Sequence, residues 1–140
     1  MFEKILLAVD GSDHALRAAR VAGDLARAMN STELRIVVAY EGIPPYLGEP
    51  NLEYAIRSRL KEAEEIMQKA QETAGKAPAQ IHTELIEGSP AEAIIEVART
   101  RESNVIVMGS RGMGTLTGLV LGSTSQKVVS HAPCPVLIVR

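Results

Sequence analysis

The sequence of 140 residues has few of the features that mark several common protein classes. It contains one cysteine, Cys134, so no disulfide can form within one chain. It has no tryptophan and 3% aromatic residues, so its core must be built from aliphatic side chains. No apolar run approaches the ~18 residues that a membrane-spanning helix needs. The sequence therefore predicts neither a disulfide-stabilised nor a membrane-bound protein.

An excess of basic residues is also missing. Lysine and arginine together number 15 against 17 aspartates and glutamates, whereas a nucleic-acid-binding domain usually carries a basic surplus. The N-terminal residues do not show a basic segment followed by an apolar one, so no signal peptide is predicted. We therefore expect a cytoplasmic protein that binds neither nucleic acid nor a membrane.

Apolar runs and helical patterns alternate along the chain. Short apolar runs predict strands at residues 5–9, 34–40, 104–108 and 136–139, and an alternation of apolar and polar residues predicts a strand at 81–87. Helical spacing predicts helices at 13–29 and 52–73, a third that opens with a capping box of Ser89 and Glu92, and a fourth near Ser123. This alternation implies parallel strands, right-handed crossovers and helices on both faces of the sheet. We therefore predict one doubly wound, three-layer α/β domain over residues 1–140.

Two loops carry residues suited to a ligand site. Asp10 follows the first strand, and a glycine-rich segment at 109–122 follows the fourth. In open parallel sheets, ligands bind beyond the carboxyl ends of the strands, where the strand order reverses. Glycines let backbone N–H groups converge on a phosphate, and the helix N-terminus at Ser123 adds further donors. The sequence predicts an anion site here, and a glycine-rich loop without a ligand is the alternative.

Two familiar phosphate motifs do not fit this segment. A Walker P-loop requires lysine after its last glycine, whereas Gly122 is followed by Ser123. A dinucleotide fingerprint requires three spaced glycines at the first helix, which here follows Gly11 alone. The residues by themselves leave the ligand unidentified.

The spacing Gly109-x2-Gly112-x9-Gly122-Ser123 resembles the ATP-binding motif of universal stress proteins. The opening KILLAVDGSDHALRAA and the closing SHAPCPVLIV resemble the two ends of that family's domain, so the resemblance covers the whole chain. It implies a Rossmann-like or flavodoxin-like sheet of five parallel strands in the order 3-2-1-4-5. It also implies a homodimer through the edge strand 136–139, whose apolar edge would otherwise be a liability.

The resemblance also implies a ligand and roles for particular positions. ATP, ADP or AMP would bind, with Asp10 at the ribose hydroxyls or at a Mg²⁺ ion and the glycine-rich segment at the phosphates. Arg111 either pairs with a phosphate or is solvated, and the residues alone do not decide between these. The predicted nucleotide-binding residues are Ala8, Val9, Asp10, Ala39, Met108, Gly109, Arg111, Gly112, Gly122, Ser123, Thr124 and Ser125.

Three functional hypotheses follow. The first is a regulatory nucleotide-binding module of a stress response, because no general base, paired nucleophile or P-loop lysine is recognisable. The second is an adenine-nucleotide-dependent enzyme with slow ATP hydrolysis or adenylating activity. Adenylating relatives of this fold carry an S-G-G-x-D-S loop, whereas the first loop here reads Asp10-Gly-Ser-Asp. The third is a structural dimer that binds no nucleotide.

The remaining reactive side chains are read as structural or surface groups. Cys134 is expected to be a buried structural thiol, since no nearby base is apparent. His14, His82 and His131 lack the spacing of metal ligands and are expected at the surface.

Overall fold

Strands and helices alternate strictly along the part of the chain that the computed structural model describes, residues 1–44, 46, 48–111 and 121–140. In chain order the elements are β1 (Lys4–Val9), α1 (Asp13–Met29), β2 (Glu33–Tyr40), α2 (Asn51–Ala74), β3 (Gln80–Glu87), α3 (Pro90–Thr100), β4 (Val105–Gly109), α4 (Ser123–His131) and β5 (Val136–Val139). Each predicted strand and helix is present, with ends shifted by one residue at most where both ends were predicted.

The strands form one sheet with the order β3-β2-β1-β4-β5, and every neighbouring pair is parallel. The predicted fold class and strand order are both confirmed. The direction of winding reverses between β1 and β4, so the carboxyl ends of these two strands flank the crevice where this fold binds ligands.

The hydrophobic core has two layers, one on each face of the sheet. Leu7, Ile36 and Val107 pack against α1 and α2 on one face. Leu6 and Ile106 pack with residues of α3 and α4 on the other. Because neighbouring residues of a strand point to opposite faces and both faces are covered, β1 and β4 are apolar without interruption over residues 5–9 and 105–108.

Helix α1 is held by small residues and by well-formed ends. Ser12 is the N-cap residue, and its hydroxyl accepts a hydrogen bond from the Ala15 N–H at 3.2 Å. Asn30 ends the helix in the left-handed conformation, with a φ of 50°. The buried face carries five alanines and Gly23. These small side chains let α1 lie close to its neighbours.

The predicted capping box at the start of α3 is wrong. Ser89 is the N-cap residue and Pro90 begins the helix, but the Ser89 side chain makes no capping hydrogen bond among the described residues. The Glu92 carboxylate instead lies 3.3 Å from the Lys127 ammonium of α4. An ion pair between the two helices has replaced the local interaction that the sequence favoured.

The edge strand β3 is tied to β2 by charges. The Arg35 guanidinium, which is buried, lies 2.9 Å from Glu84 of β3 and 3.3 Å from Glu33. Arg101, just after α3, lies 3.6 Å from the same Glu84. We call these four residues the β3 ion-pair cluster.

Within the described ranges, no helix is long and apolar enough to cross a membrane.

Candidate functional site

A cavity of about 210 Å³ lies beyond the carboxyl ends of β1 and β4. Strand β1 reaches it with Val9, strand β4 with Met108, and helix α4 with its first turn. The described residues that line it are Ala8, Val9, Asp10, Ala15, Val37, Ala39, Pro90, Ile94, Met108, Gly109, Arg111, Gly122, Ser123, Thr124 and Ser125.

The structure brings the predicted binding residues together. Eleven of the twelve line this one cavity, although they come from four separate parts of the chain. The twelfth, Gly112, lies outside the described residues, as do Gly114 and Gly118 of the same segment. Their convergence places a mixture of apolar groups, hydroxyls, one carboxylate and one guanidinium around one space.

Four lining residues were missed by the sequence reasoning. Val37 could have been found, because residues two apart on a strand share a face and Ala39 was predicted. Ala15, Pro90 and Ile94 could not have been found this way, because they reach the cavity through the packing of α1 and α3 on the sheet.

Asp10 has a structural role that leaves it available to a ligand. Its Oδ1 accepts the N–H of Ser12 at 3.0 Å, which shapes the turn into α1. The side chain is exposed and borders the cavity. Because a carboxylate has about four acceptor positions, this single bond leaves capacity for ribose hydroxyls or a cation.

Gly109 is required by packing. A Cβ at this position would lie 2.8 Å from the Cβ of His14 and 3.0 Å from the backbone nitrogen of Ala15. The first turn of α1 therefore occupies the space that a side chain would need. Sequence reasoning assigned this glycine to phosphate approach, and the structure adds this second, independent reason.

Hydrogen bonds join the start of α4 to Ser110, the residue that follows β4. The Gly122 N–H donates to the Ser110 carbonyl at 2.8 Å, and the Ser125 hydroxyl donates to the same oxygen at 2.8 Å. These two groups, predicted as phosphate donors, are thus engaged within the protein. The backbone N–H groups of the first helical turn have no acceptor inside the helix and border the cavity at Ser123 and Thr124.

No cluster of three or more histidine, cysteine, aspartate or glutamate residues suited to a metal occurs among the described residues. A Mg²⁺ ion at this cavity would therefore depend on Asp10 and on oxygens of the ligand. Mg²⁺ is commonly bound in that way, by one or two carboxylates together with substrate phosphates.

The other reactive side chains are only partly as expected, since His82, like His14, is half-buried rather than fully at the surface. Cys134 is half-buried, and burial raises the pKa of its thiol, which favours the protonated, unreactive form. His131 is exposed, with its Nδ1 3.1 Å from the Lys127 carbonyl of its own helix. The expectation that His14 is exposed is wrong, because His14 is half-buried and its Nδ1 lies 3.0 Å from the Ser110 Oγ.

Comparison with known proteins identifies the family. The model of the universal stress protein family matches residues 1–140. The chain belongs to the universal stress protein family. A universal stress protein from Thermus aquaticus is 51% identical over 140 residues, which is 100% of both chains.

Solved structures of universal stress proteins share this fold. The universal stress protein UspA from Lactobacillus plantarum superimposes with a TM-score of 0.87 at 28% identity, over 99% of this chain and 98% of that one. A universal stress protein crystallised in complex with cAMP is 32% identical, with a TM-score of 0.65 over 97% of this chain and 94% of that one. The predicted family resemblance is confirmed.

Proposed function

We propose that this universal stress protein binds an adenine nucleotide in the cavity between β1 and β4 and acts as a regulatory module in a stress response. The observation that carries the proposal is the convergence of the predicted residues, since eleven of them border one cavity at the switch point of the sheet. Ligands of open parallel sheets bind at this place.

The lining suggests how such a ligand is oriented. Apolar side chains of Val37, Ile94 and Met108 form a surface suited to a purine base. Asp10 stands at the end of β1 for the ribose or a Mg²⁺ ion, and the N-terminus of α4 attracts phosphates through its dipole. The 210 Å³ cavity is smaller than the ~300–1,000 Å³ of many small-molecule sites, so we place the base and ribose inside and the phosphates along its rim.

The relative crystallised with cAMP supports an adenine nucleotide in particular, because cAMP contains the base, the ribose and one phosphate. The described groups at the cavity can bind and orient such a ligand through apolar contact, hydroxyls and one carboxylate. We therefore propose binding, with ATP, ADP or AMP as the ligand, as the primary role of this site.

Direct binding tests the proposal. Calorimetric titration of the purified protein with ATP, ADP, AMP and cAMP, with and without Mg²⁺, is expected to give saturable binding of at least one of them. GTP serves as the control ligand, because it has the same ribose and triphosphate as ATP but a different purine base. Equal binding of GTP would contradict selectivity for adenine, and no binding of any nucleotide would overturn the proposed function.

We also propose a homodimer through β5. Among the described residues this strand pairs with β4 alone, so its other edge presents backbone N–H and C=O groups that no described strand covers. Leu137 in this strand is 39% exposed. An apolar edge strand is a template for pairing with a second chain, and a second copy of β5 would cover it.

Replacing Leu137 by lysine is expected to shift the protein from dimer to monomer. The substitution puts a positive charge on each of two apolar strands that would lie side by side, and like charges at such an edge oppose pairing. Sedimentation velocity at micromolar concentration measures the outcome. Val129→Lys is the matched control, because Val129 is 47% exposed and belongs to α4 rather than to β5. A wild-type protein that sediments as a monomer would contradict the dimer.

A further inference from the structure

Ser110 follows β4 directly and is hydrogen-bonded to β5 and to the start of α4. Its N–H donates to the Val139 carbonyl at the end of β5, at 2.8 Å. Its carbonyl accepts the Gly122 N–H and the Ser125 hydroxyl at the start of α4. These bonds use the backbone of Ser110 and would form with many side chains at this position.

The Ser110 side chain adds a bond of a different kind. Its Oγ lies 3.0 Å from Nδ1 of His14, which belongs to the first turn of α1, and Ser110 is only 2% exposed. The two residues are 96 positions apart in the sequence. A serine hydroxyl both donates and accepts, so the bond can form with either neutral tautomer of the imidazole. Because Ser110 is buried, water would not replace His14 as a partner of the Ser110 hydroxyl if the imidazole were removed.

The bond connects the two halves of the cavity. One half is the turn at Asp10, which leads directly into α1 and therefore into His14. The other half is the start of α4, which is fixed to Ser110 through Gly122 and Ser125. A nucleotide that touches both halves binds more tightly when their spacing is set beforehand, because less order has to be created on binding.

We propose that His14 is a positioning residue of the nucleotide site, which holds the start of α4 in register with Asp10 through the Ser110 Oγ. This inference rests on the proposed function. His14 is not among the residues that line the cavity, so it acts through Ser110.

Three substitutions test the bond by calorimetric titration with AMP and ATP. His14→Leu and Ser110→Ala are each expected to weaken nucleotide affinity roughly fivefold, the effect of one lost hydrogen bond. The double variant is expected to bind no more weakly than either single variant, because both remove the same interaction. His14→Asn is expected to stay within about twofold of wild type, since its amide occupies the position of Nδ1 and can replace that hydrogen bond. His131→Leu, on the exposed end of α4, is the control.

Amide hydrogen exchange supplies a measurement that needs no nucleotide. The Gly122 N–H, which donates to Ser110, is expected to exchange about fivefold faster in His14→Leu and in Ser110→Ala. The Asn104 N–H, which donates to Lys4 near the amino ends of β1 and β4, is expected to keep its rate.

The outcomes separate the two proposals. If the wild type binds adenine nucleotides and His14→Leu binds them equally well, the positioning role is overturned while the proposed function stands. The positioning role is also overturned if His14→Asn binds nucleotide as weakly as His14→Leu, because the general loss of packing would then explain the loss of affinity. If the wild type binds no nucleotide, the proposed function fails, and unchanged Gly122 exchange would overturn the positioning role as well.

Discussion

Replacing Gly122 by aspartate is expected to abolish nucleotide binding while leaving the fold at least as stable. Gly122 is the N-cap of α4, with φ −76° and ψ 172°, a conformation open to any residue. Aspartate is among the best N-cap residues and also interacts favourably with the helix dipole. Its carboxylate would occupy the end of the cavity where we place the phosphates. Two unit charges 4 Å apart near a protein surface repel by about 4 kcal/mol, so affinity should fall at least about 100-fold.

The neutral variant Gly122→Asn is the matched control for this charge effect. Asparagine caps a helix about as well as aspartate and has nearly the same shape, so it tests the added volume without the charge. We expect Gly122→Asn to bind nucleotide much more tightly than Gly122→Asp in the same titration. Thermal unfolding without ligand should give a midpoint for both variants that is equal to or above that of the wild type. If the two variants bound equally weakly, the loss would come from volume, and the phosphate position would be wrong.

Replacing Gly23 by alanine is expected to destabilise the protein strongly, by roughly 3 kcal/mol or more. Helix propensity alone predicts the opposite, since alanine is favoured over glycine inside a helix by about 1 kcal/mol. The structure decides against propensity, because a Cβ on Gly23 would lie 2.0 Å from the carbonyl oxygen of Ala74. To make room, α1 and the end of α2 would have to separate and disturb the core between them.

Urea unfolding of the wild type and of Gly23→Ala measures the change in the free energy of unfolding. The sign of this change is the decisive result. Since the obstacle is a main-chain oxygen, the additional change Ala74→Gly is not expected to restore stability. A Gly23→Ala protein that is as stable as the wild type, or more so, would show that the two helices do not pack as closely as described.

The strands and helices were predictable because hydrophobic periodicity reports local structure. Residues such as Leu7 and Ile106 lie in uninterrupted apolar runs, which buried parallel strands favour. Periodicity does not say which strand lies beside which, so the order of β1 between β2 and β4 came from the family resemblance. Neither the periodicity nor the family resemblance could predict the contact between Gly23 and Ala74, because this contact depends on how closely two particular helices approach.

The candidate site was predictable to the extent that it lies at the ends of strands. Asp10 follows from topology, because the carboxyl ends of parallel strands meet at one edge of the sheet. Val9 and Met108 came from the family resemblance. The neighbourhood of His14 and Ser110 could not be predicted, since it results from the docking of α1 on the end of β4. A charged interaction also replaced a local one at Glu92, where Lys127 of another helix competes with the N-cap.

The two borders of the sheet differ, and this difference would limit the size of an assembly formed by the proposed pairing of β5. The border formed by β3 carries polar and charged side chains, including Glu84 of the β3 ion-pair cluster, and charges of this kind protect an edge from pairing. The opposite border is the apolar strand β5. A sheet able to join others at both borders would add chains without end and form fibres. If two chains pair through β5 as proposed, each of them has used its apolar border, and assembly would stop at two chains.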